Sequence, residues 1–337
     1  MKILAINNYS LSNCLKVAKD SIMPYQHCWG IDYFMRQGDD VDTELYINVG
    51  GLKGFVLSFW YCLKNISTFN KHDVVIAFCN PVIGWASLFK RVGLLKCKLY
   101  TLVHHEGNHM LLFSGYDRIL FLSKEIMIKT RQKYPSLANR MEYIEWGPDL
   151  DFYKDAFHEY TIKSQTALKP ISTGKTNRDN VLMDIACKSM DIPLLLITDL
   201  FKGSSNTKVI SSSKRAKNAV SYPEMLSLMS KCNLTLVCKN KDESVLSSLC
   251  GLTSFIDALA IGQPIIISDN TNISIDIEKL KIGFTYKAGD LDDFKAKLNI
   301  FKQNPSLIKE YGDNARKYAE KHSYEDYCKQ LYRIINE

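Results

Sequence analysis

Residues 251–270 read GLTSFIDALAIGQPIIISDN. A small-residue turn leads into an apolar helix that keeps one carboxylate, and a buried strand follows. Gly262-Gln263-Pro264 stops the helix, because glycine accepts the left-handed backbone of a C-terminal cap and proline cannot continue a helix. At the other end Thr253 or Ser254 is the expected N-cap, after the turn Gly251-Leu252. The first turn of a helix exposes unpaired N–H groups and a partial positive charge, a ready site for a diphosphate. Asp257 lies one turn further in, where it would repel that same phosphate. Two readings fit it: an acceptor for sugar hydroxyls such as those of a ribose, or a charge that complements the helix dipole.

The strand that ends this stretch is one of a series. KILAIN opens the chain, and DVVIAF, KLYTLV, RILFLS and MEYIEW repeat the type, separated by segments of helical period such as FVLSFWYCLKNI and SKEIMIKTRQKY. Residues 150–168 interrupt the rhythm with many polar residues and weak strand character. It then restarts with KPISTGK, PLLLITD, TKVISSS, LTLVCKN and QPIIISDN. Strands alternating with helices predict parallel sheets covered on both faces. The expectation is an α/β chain of two Rossmann-like domains, 1–155 and 165–320, facing each other across a cleft. Ligands of such sheets lie beyond the carboxyl ends of the strands, so chemistry is expected just after strands.

Length agrees, since 337 residues suit two domains at roughly 150 residues each. Apolar residues make up 46% and charged residues 23%, which excludes a disordered chain. No apolar run is long enough to cross a bilayer, and MKILAINNYS enters a strand with no basic leader or cleavage site. The chain is therefore expected in the cytoplasm. Ten cysteines are scattered without paired spacing, so they read as small buried hydrophobes rather than disulfides or metal ligands. A net charge of +7 suits anionic lipid, phosphate or nucleic acid alike. Basic residues cluster at FKRVGLLKCK, residues 89–98. That segment reads as a solvated helix end or as a patch attracted to anionic membrane. Nucleic acid is disfavoured, because the basic residues are otherwise dispersed and lack interleaved aromatics.

Three further stretches carry chemistry. In STGKTNRDN, residues 172–180, Gly174 permits close backbone approach, Lys175 and Arg178 bring two cations, and Asn177 or Asp179 can cap the next helix. Two cations beside a helix start suit a diphosphate, although the Walker spacing is absent. In TLVHHEGNHM, residues 101–110, His104, His105, Glu106 and His109 crowd a strand end. Gly107-Asn108 breaks the helix that a zinc-peptidase motif needs, so no metal is expected and one histidine is expected to face substrate. In PYQHCWGIDYF, residues 24–34, His27, Trp29 and Gly30 line an acceptor pocket or pack into the core. There is no G-x-S-x-G, G-x-G-x-x-G or C-x-x-C pattern, which lowers the odds of hydrolase, dehydrogenase or redox chemistry.

These residues resemble a glycosyltransferase of the GT-B fold, most similar to the retaining family 4 type. GLTSFIDALAIGQPIIISDN resembles that family's acid-bearing helix followed by A-x-G-x-P and a strand; TGKTNRD resembles its phosphate-contacting loop, and HCWGIDYF its glycine-containing loop after the first strand. The resemblance implies transfer of a sugar, with retention, from a UDP- or GDP-sugar to a hydroxyl on a glycan or lipid-linked acceptor. It implies no cofactor. Lys175 and Arg178 would hold the diphosphate with Gly174 and Asn177, the turn Gly251, Leu252, Thr253 and Ser254 would add N–H groups, and Asp257 would bind the ribose. His104 or His105 would reach the donor sugar, with His27, Trp29, Gly30 and Glu106 on the acceptor side. The final segment, 321–337, would cross back to the first domain, and surface-polysaccharide synthesis at the inner face of the membrane would be the setting. The family's first acid, eight positions before the second, is here Leu249. That departure keeps open a nucleotide-sugar epimerase or a catalytically silent binder.

Overall fold

The computed structural model describes residues 1–47, 51–105, 111, 114–162, 167–174, 176–199, 201–211, 220–241 and 249–337, the side chains of 51–53 and 162 excepted. The chain divides into two compact units. One comprises Met1–Ser21, Tyr25–Trp146 and Tyr324–Glu337; the other comprises Ile22–Pro24 and Gly147–Ser323.

The first unit holds β1 (Lys2–Ile6), β2 (Asp40–Asp42), β3 (Val74–Ala77), β4 (Lys98–Val103), β5 (Arg118–Phe121) and β6 (Met141–Tyr143). Its helices are α1 (Leu11–Lys19), α2 (Ile31–Arg36), α3 (Gly51–Lys64), α4 (Ile66–Phe69), α5 (Gly84–Arg91) and α6 (Lys124–Lys133). The strands form one parallel sheet in the order β2-β1-β3-β4-β5-β6. The order reverses between β1 and β3, and this switch point opens a crevice at their carboxyl ends. In β3 every residue is buried, as a strand covered on both faces requires.

The second unit holds α7 (Lys154–Ile162), β7 (Pro170–Thr173), α8 (Asn180–Ser189), β8 (Leu194–Ile197), β9 (Thr207–Ile210), α9 (Tyr222–Ser230) and β10 (Leu234–Val237). It continues with α10 (Leu252–Ile261), β11 (Ile265–Ser268), β12 (Gly283–Tyr286), α11 (Leu291–Gln303) and α12 (Ser306–Lys321). Its parallel sheet runs β12-β11-β10-β7-β8-β9, the Rossmann order with its switch point between β7 and β10. One apolar cluster joins Leu182, Met183 and Ala186 of α8 to Phe294, Leu298 and Phe301 of α11. A separate cluster joins Tyr153 and Ala156 to Leu226 and Met229 of α9 and to Ala260 and Ile261 of α10. The polar stretch 150–168, read from sequence as a break in the rhythm, thus carries α7. Tyr153 and Ala156 are core residues there.

The opening stretch folds as α10 and β11. From Ser254 to Ile261 every residue of α10 is buried, so the helix is apolar all round because it has no solvent face. Gly262 caps it in the left-handed conformation, at φ 77°, and the caps differ from expectation at the other end. Gly251, at φ 104°, is the N-cap with no side-chain capping bond, while Thr253 and Ser254 sit inside the first turn. Gly251 is required there, since a Cβ would stand 2.4 Å from Val237 Cγ1. Gln263 does more than end the helix. Its buried amide donates to Met229 O at 2.6 Å and Cys232 O at 2.9 Å and accepts from Thr235 Oγ1 at 2.8 Å. Arg316 donates to Ala260 O at 2.6 Å and lies over the Phe157 ring, fixing the carboxyl end of α10.

The last helix, α13 (Tyr324–Asn336), belongs to the first unit. Its Tyr324 hydroxyl accepts the buried Gly30 N–H at 2.8 Å and donates to Asp32. Gly30, at φ 92°, caps α2. A Cβ there would press on Leu331 Cδ2 at 3.3 Å.

Candidate functional site

At the switch point of the second sheet, the chain leaves β7 through Gly174, whose φ is 113°. A Cβ at this position would come within 2.7 Å of Arg178 Nη2, so glycine makes the room that the guanidinium occupies. Arg178 Nε donates to Thr173 O at 3.3 Å, Nη1 to Thr176 O at 3.2 Å, and Nη2 reaches Ser254 Oγ at 3.5 Å. Ser254 is itself locked to β7, donating to Thr173 O and accepting from Thr173 Oγ1, both at 2.8 Å. The guanidinium therefore lies between the end of β7 and the uncapped start of α10. Burial lowers its pKa from the ordinary arginine value, yet it forms no ion pair with a carboxylate among the described residues. A cation taken partly out of water without a counter-charge is costly unless an anion completes it.

The loop after β10 braces this arrangement. Asn240 Nδ2 donates to Asn177 Oδ1 at 2.9 Å and Asn240 N–H to Asn177 O at 3.2 Å. Arg178 and Lys239 form an antiparallel backbone bridge. Of the two caps considered for α8, Asp179 is the one formed, accepting from Leu182 N–H at 3.0 Å. Lys239 is a buried cation that sequence reasoning passed over; its Nζ donates to Asn270 O at 2.5 Å. The available signal was a lysine directly after the apolar run LTLVC. Lys175, the second expected cation, lies outside the described residues.

Asp257 is on the same helix but in a closed setting. Only 1% exposed, its Oδ1 accepts hydroxyl protons from Tyr153 at 2.5 Å and Tyr222 at 2.6 Å. It is not a first-turn charge, since α10 has no acidic residue in its first turn, and dipole complementation does not account for it. Desolvation pushes its pKa up to about 6, against the two phenol hydrogen bonds that lower it. The carboxylate knits α10 to α9 and to Tyr153 at the start of α7. Leu249, where the resembling family carries its first acid, is buried.

In the first unit the switch point is filled by rings. Trp29 stacks on Trp146 at 5.2 Å and Phe78 at 5.9 Å, and its Nε1 donates to Tyr9 Oη at 2.6 Å. Trp29 is 8% exposed and packs among these rings. His27 sets its ring edge against Trp146 at 5.6 Å, and burial lowers its pKa to about 4. His104 meets Trp29 at 5.3 Å, with Nε2 2.7 Å from Phe78 O. Burial brings its pKa to about 4, so it is a neutral imidazole whose Nε2–H donates to that carbonyl. His105 is half-buried, its pKa also lowered by burial, and its Nδ1 has no hydrogen-bond partner among the described residues. Glu106 and His109 lie outside the described residues. Among the described residues no group of three or more histidines, cysteines or carboxylates is placed to hold a metal.

No protein-family model and no curated protein matches the chain. Solved structures do. The chain is similar to HepE from Anabaena in complex with UDP-glucose at 13% identity, covering 100% of this chain and 99% of that one with a TM-score of 0.66. It is similar to sucrose-phosphate synthase from Thermosynechococcus elongatus at 12% identity, covering 100% and 98% with a TM-score of 0.69. WaaG, a glycosyltransferase involved in lipopolysaccharide biosynthesis, is similar at 11% identity, with 99% of each chain covered and a TM-score of 0.65. These likenesses run the length of the chain and, with two six-stranded parallel sheets, establish its fold as GT-B, built from two Rossmann-like units.

Proposed function

We propose that this protein is a glycosyltransferase that moves a sugar, with retention, from a nucleotide diphosphate sugar to a hydroxyl of a glycan or lipid-linked acceptor. The observation that carries the reading is Arg178: a half-buried guanidinium with no anionic partner among the described residues, set between Gly174 and the uncapped start of α10. Carbonyls orient it, and they leave its charge unneutralised. A diphosphate supplies the missing charge and accepts from the exposed N–H groups of the helix. The UDP complexes of HepE favour a UDP-sugar over a GDP-sugar, and the likeness to WaaG favours surface-polysaccharide or glycoconjugate synthesis at the inner face of the membrane.

As the bond to the anomeric carbon loosens, negative charge grows on the departing diphosphate oxygen. Arg178, with Lys175 three positions before it in the sequence, would meet that charge as it develops and so stabilise the transition state more than the ground state. Gly251, Leu252, Thr253 and Ser254 contribute N–H groups, and Gly174 and Asn177 shape the loop. His105 is the better of the two histidines for the donor sugar, because His104 spends its proton on Phe78 O. No protein nucleophile and no metal takes part. Tyr153 and Tyr222 both occupy Oδ1, so a ribose hydroxyl would be read by Oδ2 or would displace one of the phenols. A buried leucine at position 249 favours a second reading, a nucleotide-sugar binder without turnover.

Incubation with a panel of nucleotide sugars, following nucleotide release with and without hydroxyl acceptors, separates the two. Acceptor-dependent release of UDP supports transfer. Tight binding with no release supports the silent binder, and no binding of any nucleotide sugar removes both.

A further inference from the structure

The amino ends of β4, β5 and β6 form the rim of the first sheet that lies opposite its crevice. A cavity of about 520 Å³ opens there, lined by residues of the first unit alone. The basic stretch FKRVGLLKCK sends three of its four cations to it, Lys90, Arg91 and Lys98. With Arg118 and Arg140 that makes five cations on the wall against two carboxylates, Asp117 and Glu337. Asp117 is already engaged, by Lys90 at 2.9 Å and by Leu99 N–H at 2.6 Å. Glu337 stands 3.9 Å from Arg118, and both are partly exposed, so this pair contributes little and yields readily to a competing anion. Arg91, Lys98 and Arg140 form no ion pair among the described residues.

Two of these cations are positioned by neutral groups. Arg140 Nη1 donates to Ser114 O and Tyr116 O, each at 2.9 Å, and Arg91 Nη1 donates to Ser114 Oγ at 3.1 Å. Ser114 thus holds one guanidinium on its carbonyl and the other on its hydroxyl. It does so in the left-handed conformation, at φ 52°, which is uncommon for a residue with a side chain. The next residue pins that turn to α5: Gly115 N–H donates to Ser87 Oγ at 2.9 Å, and a Cβ on Gly115 would stand 1.8 Å from Ser87 O. A second pair of cations lies on adjacent strands. Tyr100 is in register with Arg118, and Lys98, two positions before Tyr100, shares its face of β4. Tyr100 lines the same cavity and is only 2% exposed, yet its hydroxyl has no hydrogen-bond partner among the described residues. Burial raises its pKa, so it keeps a proton to donate. A largely buried hydroxyl without a partner, beside cations without counter-charges, is an arrangement that a polar anion completes.

We propose that this cavity binds a soluble polyol bisphosphate, with one phosphate between Arg91 and Arg140, the other between Lys98 and Arg118, and the Tyr100 hydroxyl donating to the ligand. Two phosphate monoesters, at about −1.5 to −2 charges each, balance the three unpaired cations and the loosely held Arg118. Their separation on a carbon chain suits two cation pairs carried by different elements. This site goes beyond the reading of a transferase and does not rest on it. Calorimetric titration of fructose 1,6-bisphosphate into the wild-type chain, with UDP in excess to fill the site of the second unit, is expected to show one equivalent bound and weakening by salt. K98Q/Y100F removes two side-chain groups that form no hydrogen bond among the described residues. It is expected to bind at least about tenfold more weakly at an unchanged melting temperature, and R91Q/R140Q about a hundredfold more weakly. Inorganic phosphate and pyrophosphate, which cannot span both pairs, are expected to bind at least about tenfold more weakly than the bisphosphate. Equal affinity of K98Q/Y100F and the wild type overturns the proposal, as does the absence of heat from fructose 1,6-bisphosphate with the wild type. So does inorganic phosphate binding as tightly as the bisphosphate, or adsorption to phosphatidylglycerol vesicles by a chain that binds no soluble bisphosphate. Binding of the bisphosphate by a chain that neither binds nor turns over any nucleotide sugar would leave this site standing and remove the transferase reading.

Discussion

The two sheets reverse strand order at comparable places, yet the carboxyl ends around those places are furnished in opposite ways. In the first unit Trp29, Phe78, Trp146 and His104 stack into the crevice, and its histidines are held neutral by burial. In the second unit two glycines with positive φ, Gly174 and Gly251, clear space around a single guanidinium. The first crevice is packed by its own rings, although Asn80 Oδ1 and His105 Nδ1 have no hydrogen-bond partner there among the described residues. The second leaves its guanidinium without a counter-charge among the described residues. Fold alone thus does not mark a ligand site; what separates the two regions is a packed set of rings in one and a cation with no counter-charge among the described residues in the other.

The sharpest way to break this comparison is to empty the finished region. Trp29→Ala should cost about 3–5 kcal/mol of stability, as large-to-small changes of buried aromatics do, while leaving affinity for nucleotide in the residual folded protein unchanged. Denaturant unfolding checks the first and nucleotide titration the second. In the open region the expected effects invert. Arg178→Ala should lower turnover roughly a hundredfold, on the order of 3 kcal/mol of transition-state stabilisation, with a much smaller change in melting temperature. Steady-state kinetics beside thermal unfolding decides it, and comparable losses in both would make Arg178 structural.

Asp257 sharpens the contrast within one helix, since it is a charge already partnered. Its pKa in the folded chain is raised to about 6, so its contribution to stability is fully present below the ordinary aspartate pKa and is lost as pH rises through 6. The rise from an ordinary value of 3.8 to about 6 makes that loss on the order of 2–3 kcal/mol between pH 4 and pH 8. Asp257→Asn should flatten that part of the stability profile, as urea unfolding across the same range would show. The smallest effect is expected at Gly174. Alanine there must adopt a positive φ, at a cost of about 1 kcal/mol, and displace Arg178 Nη2; donor KM should rise while unfolding shifts only slightly.

Much of the architecture was legible because period and punctuation agree with burial. Ten of the twelve strands among the described residues lie within apolar runs that read as strands, and the helix GLTSFIDALAI ends at Gly262 as its residues dictate. The two strands missed, β2 and β12, are short and carry the sequences DVD and GFTY, which lack an apolar run to announce them. They are edge strands held by pairing with β1 and β11. The polarity of residues 150–168 concealed α7, because its core contacts come from tertiary packing of Tyr153 and Ala156 rather than from an apolar stripe.

The candidate site was legible in composition and not in geometry. TGKTNRD announced cations beside a helix start, and the structure sets Arg178 against the start of α10. No local pattern tells that Asp257 is covered by Tyr153 and Tyr222, since those phenols stand 104 and 35 positions away. Nor does it tell that Gly30 spends its N–H on Tyr324, 294 positions away. Capping failed for a related reason. Thr253 and Ser254 look like caps, but close approach to Val237 forces the cap position onto Gly251.

The central claim is that the guanidinium of Arg178 awaits a diphosphate. Calorimetric titration of UDP and of inorganic pyrophosphate into the wild-type chain and into Arg178→Ala tests it most directly. Both ligands are expected to bind the wild type, and the variant to bind each at least tenfold more weakly at an unchanged melting temperature. Equal affinities in the two proteins, or no heat from either ligand with the wild type, would contradict the account.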